Sequence, residues 1–394
     1  MATPVSELIL AGNGPGELRG WVMPIARAAR TAAGDGTALT MVLTPSQFAT
    51  GREAQVVRGW GLFDRVVDVS EAVRIALGLR RLTHAGQSVV LHLGGDLWFS
   101  RRLARRLRVP ACALAETTLI ARRHRGFARI FAASPAVATA LVEQGVPTEK
   151  IVPTGDPRAD MIGRAAPPPA AETAPTLSVL PGSRDRLFAF IAPYFMTVAD
   201  RLAAQMPAVK VQVIVSEFLS GDVLSTVQRR VAREWPRLAV TWVTGDAASA
   251  LRSSDLAVTI PGTNTLELAY LAVPFAVVVD LEMLRLAPVE GAAEWLLRVP
   301  GLGASLKHVM LERRLRRTSF VALPNARAGR PLVPEWIGRF APEDLAKRLA
   351  ELLADRGRRM AIRTGLLATF GGPGGAARAI AESALRLAAA QAPA

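Results

Sequence analysis

Short apolar runs alternate with longer amphipathic segments along the first half of this chain. Short apolar runs bounded by turn residues predict buried strands, whereas apolar residues spaced three and four apart predict helices. The alternation is typical of a doubly wound parallel sheet with helices on both faces. The predicted strands are Glu7–Ala11, Ala38–Thr44, Arg65–Val69, Ser88–Leu93, Ala111–Leu114 and Ile130–Ala132. The predicted helices are Trp21–Ala33, Ser70–Leu82, Ser100–Leu107 and Pro135–Gln144.

The second half repeats the alternation after a break that is rich in proline and alanine. Residues 166–175 fit neither a helix nor a strand and are predicted to be a linker. A chain of 394 residues is also too long for one typical core. We therefore predict domains at residues 1–165 and 176–370, with a terminal segment, 371–394, whose helix packs back on the first domain. The predicted strands of the second half are Leu177–Leu180, Val211–Val215, Val240–Val243, Leu256–Thr259 and Pro274–Val279.

Composition adds limits on the core and on the compartment. Hydrophobic residues make up 50% of the chain and aromatic residues only 6%, so a large core must be built mostly from aliphatic side chains. The single cysteine, Cys112, excludes an intramolecular disulfide, indicates a reducing compartment and is expected to be a buried strand residue. No apolar run reaches the roughly 18 residues that span a bilayer. The sequence after Met1 also lacks the pattern of a signal peptide.

The net charge of +15 is carried almost entirely by arginine, and the arginines are clustered. Beside leucines, such clusters fit an anionic membrane surface, where each basic side chain contributes about 1 kcal/mol. Arginine-rich genome composition is the alternative explanation. Nucleic acid is disfavoured as a partner because few aromatic residues accompany the clusters and no nucleic-acid-binding motif occurs. The expected location is cytoplasmic and peripheral to the inner membrane. The clusters are Arg101, Arg102, Arg105, Arg106 and Arg108; Arg122, Arg123 and Arg125; and Arg313, Arg314, Arg316 and Arg317.

A loop of small polar residues, Pro181-Gly182-Ser183-Arg184, follows the first predicted strand of the second half. Gly182 permits a tight turn and close backbone approach. Ser183 is a candidate helix N-cap, and Arg184 supplies a forked donor for a diphosphate.

A second loop of this kind, Pro261-Gly262-Thr263-Asn264, precedes a helix predicted to begin at Thr265. Glu267 falls in the first turn, where it can accept hydrogen bonds from backbone donors or from ribose hydroxyls. A helix N-terminus presents unpaired N–H groups and a partial positive charge, which favour a phosphate. Two such loops indicate a nucleotide or nucleotide-sugar site, and two ordinary β–α turns are the alternative.

Five segments spread over most of the chain form a set of motifs: Ala11–Glu17 (AGNGPGE), Gly155–Asp160 (GDPRAD), Leu180–Arg184 (LPGSR), Ser254–Glu267 (SDLAVTIPGTNTLE) and Phe320–Arg330 (FVALPNARAGR). Together they resemble the lipid-A-disaccharide synthases, a family of inverting glycosyltransferases. Gly155–Asp160 is similar to the family's G-H-x-x-A-D, with Asp156 where a histidine is usual. The family's N-terminal loop is A-G-E-x-S-G-D, and this chain has Asn13 and Glu17 in place of its two acids.

The resemblance implies the GT-B fold, an α/β architecture in which two Rossmann-like, doubly wound domains flank an interdomain cleft. It implies a hexosyltransferase that moves a sugar from a UDP-sugar co-substrate to a lipid-linked or amphipathic acceptor, with no other cofactor. No metal is expected, because D-x-D does not occur in the sequence. The implied donor-binding residues are Gly182, Ser183, Arg184 and Gly262; Thr263, Asn264 and Thr265 for the diphosphate; Glu267 for the ribose; and Asn325 for the uracil or sugar.

Inversion requires a base that takes the proton of the acceptor hydroxyl as it attacks the anomeric carbon. Asp96, after a predicted strand and Gly94-Gly95, is the first candidate, with helix N-capping as its alternative role. His92, at the end of the same strand, is the second candidate, although a lone strand histidine is more often structural. The acceptor-side loop contributes Asn13, Gly14, Gly16 and Glu17, where Glu17 is expected mainly to stabilise backbone donors.

Two other functions remain open at this point. The altered N-terminal loop allows a non-catalytic relative that binds a nucleotide-sugar or anionic lipid, and a UDP-sugar epimerase is a further possibility on the same fold. The sugar, the acceptor and the oligomeric state are not determined by these patterns.

Overall fold

The computed structural model describes residues 6–33, 36–46, 49–162, 174–280 and 319–390. The chain divides into two compact units. The first unit combines residues 1–161 with 373–394, and the second comprises residues 162–372. The predicted linker lies largely outside the described residues, as do Arg313, Arg314, Arg316 and Arg317.

The first unit is built on a seven-stranded parallel sheet with the order β3-β2-β1-β4-β5-β6-β7. In its centre, Ile9 pairs with Thr40 of one neighbouring strand and with Val90 of the other. The strand order reverses between β1 and β4, and ligands of open α/β sheets bind at the carboxyl ends of strands at such a point. The strands are β1 Ser6–Gly12, β2 Thr37–Leu43, β3 Arg65–Val67, β4 Gln87–His92, β5 Ala111–Ala115, β6 Arg129–Ala132 and β7 Ile151–Pro153.

The helices of this unit connect successive parallel strands. Beyond β1 the chain forms a short helix, a π-helical turn at Leu18–Val22 and then a longer amphipathic helix. Two 3₁₀ segments, Thr118–Gly126 and Thr148–Lys150, replace longer helices. The α-helices are α1 Pro15–Glu17, α2 Met23–Ala33, α3 Glu53–Gly59, α4 Val69–Leu77, α5 Leu97–Leu107, α6 Pro135–Glu143 and α7 Arg158–Ile162.

The second unit contains a six-stranded parallel sheet with the order β10-β9-β8-β11-β12-β13. Its strand order reverses between β8 and β11. The strands are β8 Thr176–Leu180, β9 Lys210–Val215, β10 Val240–Thr244, β11 Leu256–Thr259, β12 Phe275–Asp280 and β13 Glu335–Gly338. The helices are α8 Asp185–Gln205, α9 Gly221–Glu234, α10 Ala247–Arg252, α11 Asn264–Tyr270, α12 Leu323–Ala328, α13 Pro342–Ala354 and α14 Arg356–Phe370.

The chain returns to the first unit through a last helix, α15 (Ala376–Ala389), which contacts α2, β1 and β4. Its apolar face is fully buried, and Ile380 lies at its centre. The carboxylate of Asp160 accepts hydrogen bonds from the backbone N–H groups of Gly375 and Ala377 at the start of this helix. The first unit is therefore built from two separate segments of the chain, residues 1–161 and 373–394.

The two parallel α/β sheets confirm the predicted fold class, and the cores are mainly aliphatic, as expected. Cys112 is a buried residue of β5, and burial raises the pKa of its thiol to about 12. The edge strands β7 and β13 were not predicted, because each is short and only partly buried. The sequence pattern showed no apolar run long enough to span a membrane. By length and composition alone, helix α8 is nonetheless long and apolar enough to do so. Half of its apolar window is buried, however, and core helices meet the same criteria.

Candidate functional site

The two predicted phosphate-binding loops, Pro181–Arg184 and Pro261–Asn264, lie at the point where the strand order of the second unit's sheet reverses. The first loop follows β8 and the second follows β11, and these strands are hydrogen-bonded neighbours, with Leu180 opposite Thr259. Carboxyl ends of parallel strands meet at one edge of a sheet, so the two loops lie side by side. The structure thus brings together residues that are about 80 positions apart in sequence. Local sequence patterns cannot show that residues so far apart are close in space.

The first loop places a glycine against the second loop. Gly182 has φ +110°, a conformation that side chains rarely adopt, and a Cβ there would lie 3.2 Å from Cδ1 of Ile260. Arg184, rather than the predicted Ser183, occupies the N-cap position of α8, and no side-chain bond caps that helix. Burial lowers the pKa of the Arg184 guanidinium. A part-buried cation therefore stands beside the N-terminus of a long helix, an arrangement that favours anions.

The second loop is held by its own side chains. The Asn264 amide donates a hydrogen bond to the Thr259 hydroxyl, and the Thr265 hydroxyl donates one to the carbonyl of Gly262 at 2.7 Å. Helix α11 begins at Asn264, and the Thr263 hydroxyl makes no capping bond. Glu267 lies half-buried in the first turn. Asn264 and Thr265 thus shape the loop backbone.

Asn325 has a different role from the predicted contact with a ligand. It is fully buried, and its amide donates to the carbonyl of Val333 at 2.9 Å and to Oε1 of Glu335 at 2.8 Å. Its carbonyl accepts from the N–H groups of Leu332 and Val333. A carboxamide has two donor hydrogens and two acceptor lone pairs, so its capacity is used within the chain. Asn325 fixes the segment that the family resemblance marked.

Glu335, at the start of β13, is a residue that sequence reasoning missed. Its carboxylate accepts from the N–H groups of Val321 and Ala322, both at 2.9 Å, in addition to the amide of Asn325. A carboxylate at this position compensates the partial positive charge at the start of α12. The spacing of the Phe320–Arg330 segment therefore preserves a clamp between α12 and β13.

The corresponding point of the first unit is formed by the loops after β1 and β4. The amide of Asn13 donates to the carbonyl of Thr44 at 2.6 Å, and its Oδ1 accepts from the N–H of Gly14. Gly94 has φ +146°, and a Cβ there would lie 2.1 Å from the carboxyl group of Glu17. Only glycine fits at this contact. The predicted loop residues Asn13, Gly14 and Glu17 are therefore brought against the loop that carries Asp96, and Gly16 lies half-buried between them in α1.

Glu17 is the most perturbed carboxyl group of this cluster. Part of the side chain remains accessible, yet burial raises the pKa of its carboxyl group to about 8. Hydrogen bonds from the N–H groups of Asn13 and Gly95 and the charge of Arg158 oppose that rise, while Glu116 adds to it. At neutral pH the group is mostly protonated. The bonds from Asn13 and Gly95 are the stabilising role predicted for Glu17, and a perturbed group at a switch point is also a candidate for function.

The two predicted base candidates have contrasting surroundings. His92 is buried, its Nδ1 lies 2.8 Å from the Ser100 hydroxyl, and burial lowers its pKa to about 4. Asp96 is the N-cap of α5: its carboxylate accepts from the N–H of Trp98 at 2.7 Å, and 63% of its side chain is exposed. Arg123 lies 3.7 Å away from that carboxylate. Asp96 can therefore reach a solvent-borne substrate, whereas His92 is a neutral imidazole within the core.

A buried ion cluster supports the same edge of the first unit. Arg158 lies 2.9 Å from both Glu116 and Asp156, and its guanidinium stacks 4.4 Å from the ring of Trp21. The Trp21 indole donates to Asp156 at 3.2 Å. Asp156 stands where the resembled family has a histidine, so this chain replaces that position with an ion pair. Sequence reasoning noted Asp156 but not the cluster around it, to which Trp21 and Glu116 come from distant segments.

Thr44, beside the glycine turn before Asp96, is another residue that the sequence analysis did not single out as part of this site. Its hydroxyl is buried and has no hydrogen-bond partner among the described residues. A Cβ on Gly95 would lie 2.3 Å from that oxygen, so the hydroxyl is beside the glycine turn before Asp96. Within the described ranges, no group of three or more histidine, cysteine or acidic side chains forms a metal-type cluster.

Comparison with known sequences supports a family assignment. The family described as lipid-A-disaccharide synthetase matches residues 168–287, which include both loops of the second unit. Lipid-A-disaccharide synthase of Pseudomonas putida KT2440 is 31% identical over 222 residues, covering 54% of this chain and 50% of that protein. About half of this chain is therefore similar to lipid-A-disaccharide synthases. The enzyme of Anaeromyxobacter dehalogenans is likewise 31% identical, over 55% of this chain and 50% of its own length.

The matched region spans about half the length of those curated relatives. Solved structures show the fold over nearly the whole chain. MurG of Acinetobacter baumannii has a TM-score of 0.53 at 14% identity, covering 97% of this chain and 100% of that one. UDP-GlcNAc 2-epimerase of Neisseria meningitidis, solved with UDP-GlcNAc, has a TM-score of 0.54 at 12% identity, covering 97% and 100%. The two-domain GT-B fold is thereby confirmed.

Proposed function

We propose that this chain is an inverting glycosyltransferase that moves a sugar from a UDP-sugar to a lipid-linked or otherwise amphipathic acceptor. The observation that carries the proposal is the pair of adjacent loops after β8 and β11. They lie at the switch point of the sheet, inside the region that matches the family, and they combine Gly182, Arg184 and Thr263 at one edge.

The donor half of the reaction depends on stabilising a leaving diphosphate. As the bond from the anomeric carbon to the diphosphate oxygen breaks, negative charge develops on UDP. The Arg184 guanidinium and the N–H groups at the start of α8 can stabilise that negative charge without a metal ion. Glu267 is assigned to the ribose hydroxyls. The second loop has little freedom to reorganise, because Asn264 and Thr265 are already hydrogen-bonded within it.

The acceptor half depends on a base in the first unit. We assign this role to Asp96, which takes the proton of the acceptor hydroxyl while that oxygen forms the new glycosidic bond. Its exposed carboxylate is held by the N–H of Trp98 and lies near Arg123. His92 is the weaker candidate, since it is buried and its Nδ1 is hydrogen-bonded to Ser100.

The acceptor class and the membrane association are supported by the arrangement around α4 and α5. Arg102 and Arg106 donate to the carbonyls of Ala76 and Leu77, at 3.1 and 3.0 Å, and so cap the end of α4. Beside them, Leu77 and Leu79 are exposed by 52% and 75%. Apolar side chains within a basic surface fit an anionic membrane interface, where the lipid part of an acceptor would be located.

The donor assignment is tested by thermal unfolding of the full chain with UDP, UDP-sugars, ADP and TDP. A ligand at about 100 times its Kd adds roughly 2.7 kcal/mol to the free energy of unfolding. We expect selective stabilisation by UDP or a UDP-sugar, lost in Arg184→Gln. Arg186→Gln removes the same charge from an exposed position two residues away and is expected to retain it.

Product analysis then separates the possible reactions. Transfer to an added acylated sugar acceptor supports the proposal. A sugar epimer formed without an acceptor would identify an epimerase instead. Stabilisation without any product would indicate a binding protein, and the absence of stabilisation by every nucleotide would overturn the donor site.

A further inference from the structure

A cavity of about 290 Å³ opens in the first unit, at the edge of the sheet opposite the candidate catalytic loops. Its wall is formed where β5 and β6 begin, together with the middle of α5 and the end of the 3₁₀ segment Thr118–Gly126. Because strands in a parallel sheet begin at one edge and end at the other, this cavity is separate from the loops after β1 and β4.

The cavity is lined by four cationic side chains: Arg101, Arg105, Arg125 and Lys150. Among the described residues, no carboxylate lines it or lies within ion-pair distance of these four groups. Elsewhere in the first unit, several arginines have acidic partners, as Arg30 has Asp64 at 2.7 Å. Cations that share a cavity without counter-charges create a positive potential, which attracts an anion.

Two of the cations are positioned by contacts within the cavity. The Lys150 ammonium donates to the carbonyl of Phe127 at 3.1 Å, which leaves two of its three hydrogens for another acceptor. The Arg101 side chain crosses Gly126, where an added Cβ would lie 2.0 Å from Nε. That Nε is buried and has no hydrogen-bond partner among the described residues. An unsatisfied buried donor is costly unless a ligand or ordered solvent accepts from it.

We propose that this cavity is a binding site for a phosphate group, with Arg101 and Lys150 as its inner donors and Arg105 and Arg125 as its outer charges. The apolar side chains of Val109 and Phe127 form part of the wall. A phosphate offers several acceptor oxygens and negative charge, which match the guanidinium and ammonium donors. The phosphate can belong to a free anion or to a lipid headgroup, and the two sources are distinguished below.

Calorimetric titration of the full chain with inorganic phosphate at low ionic strength tests the site. We expect Arg101→Gln to weaken phosphate binding about tenfold or more, because a charge-assisted bond to a buried donor is lost. Gly126→Ala retains all four cations but displaces the Arg101 side chain, and it is also expected to weaken binding. The Gly126→Ala variant keeps the proposal testable if Arg101→Gln does not fold.

Two control variants define the outcomes that would overturn the proposal. Arg122→Gln removes the same charge from an exposed position outside the cavity, and it is expected to change phosphate affinity by less than about twofold. An equal loss in Arg122→Gln and Arg101→Gln would show a general charge effect. Loss in Arg184→Gln alone would place the phosphate in the donor loop. UDP stabilisation should persist in Arg101→Gln, so this site and the proposed donor site can fail independently.

The source of the phosphate is determined with vesicles. Co-sedimentation with phosphatidylglycerol vesicles, but not phosphatidylcholine vesicles, that is reduced in both Arg101→Gln and Gly126→Ala would assign a lipid headgroup. Phosphate binding that depends on Arg101, with vesicle binding that does not, would assign a free anion or a soluble phosphate ester. No phosphate binding by the unmodified chain in either assay would overturn the site.

Discussion

The two units have the same kind of sheet but place different chemistry at its switch point. In the second unit, the loops after β8 and β11 and the helix turns that follow them carry three charged residues, Arg184, Asp185 and Glu267. Hydroxyl and amide groups of the second loop are hydrogen-bonded to the chain around it. In the first unit the loops after β1 and β4 bring Glu17, His92 and Asp96 together near the ion pair of Arg158.

Under the proposed function, this difference lets one architecture serve two tasks. A site that binds a phosphate needs fixed donors and little titration, because the charge is carried by the ligand. A site that moves a proton needs carboxyl or imidazole groups whose pKa values are displaced by their surroundings. The first unit displaces the pKa of Glu17 upward and that of His92 downward, both chiefly through burial.

The largest expected effect concerns the base, and it tests whether proton transfer belongs to the first unit. Asparagine is as good an N-cap as aspartate but cannot accept a proton. Asp96→Asn should therefore preserve folding and UDP binding while lowering the rate of transfer about 10²–10⁴-fold. Steady-state kinetics would measure the rate, and Asp96→Ala would add the loss of the cap. Full activity in Asp96→Asn would show that Asp96 is only an N-cap, and it would contradict the assignment of proton transfer to this residue of the first unit.

The next effect compares glycines at the two switch points. Gly94→Ala forces a left-handed backbone and places a Cβ 2.1 Å from the carboxyl group of Glu17, so we expect a loss of about 3–5 kcal/mol in the free energy of unfolding. Gly182→Ala has similar backbone strain but meets only Ile260, at 3.2 Å, and should cost about 1–3 kcal/mol.

Gly51→Ala supplies the baseline for this comparison, because its φ is +88° and nothing lies within 4 Å of the added Cβ. Urea unfolding of the three variants would measure the costs. If Gly94→Ala cost no more than Gly51→Ala, the close contact between the loops after β1 and β4 would be wrong.

The last effect is a gradual one, the pH dependence that Glu17 produces. Its folded pKa of about 8 lies above the ordinary glutamate value of 4.5, so the folded state holds a proton that the unfolded state releases. The contribution to stability is full below about pH 4.5 and is lost as pH rises through about 8, at up to about 1.4 kcal/mol per pH unit.

Glu17→Gln, which mimics the protonated acid, should remove this dependence. The free energies of unfolding of the two proteins are compared by urea titration between pH 5 and 8. The advantage of Glu17→Gln should grow with pH, and parallel curves would show that Glu17 is ionised in the folded state.

Much of the fold was predictable because both sheets are parallel and buried on both faces, which leaves continuous apolar runs. Leu256–Thr259 was predicted with the bounds that the structure shows for β11. Edge strands lack this signal: β13 begins with Glu335 and is nowhere fully buried. Helix α3 was not predicted either, since its seven residues include few apolar positions.

The candidate sites were predictable only in part. Local spacing indicated the glycine loops and Asp96, because strand–loop–helix units are contiguous in sequence. It could not show that Glu17 lies against Gly94, or that the Asn325 amide donates hydrogen bonds to Glu335 and Val333. Nor could it show that Arg158 contacts Glu116. Those contacts depend on how distant segments pack.

The bonds from Gly375 and Ala377 to Asp160 have a consequence for biosynthesis. The second unit is continuous, so it can fold as soon as it leaves the ribosome. The first unit must wait for α15, whose buried residues include Ile380, Ala381 and Ala384. At about 5–20 residues per second, that delay is on the order of ten seconds or more. During it, the faces of β1, β4 and α2 that receive α15 are open to chaperones, so a nascent chain is most vulnerable to aggregation there.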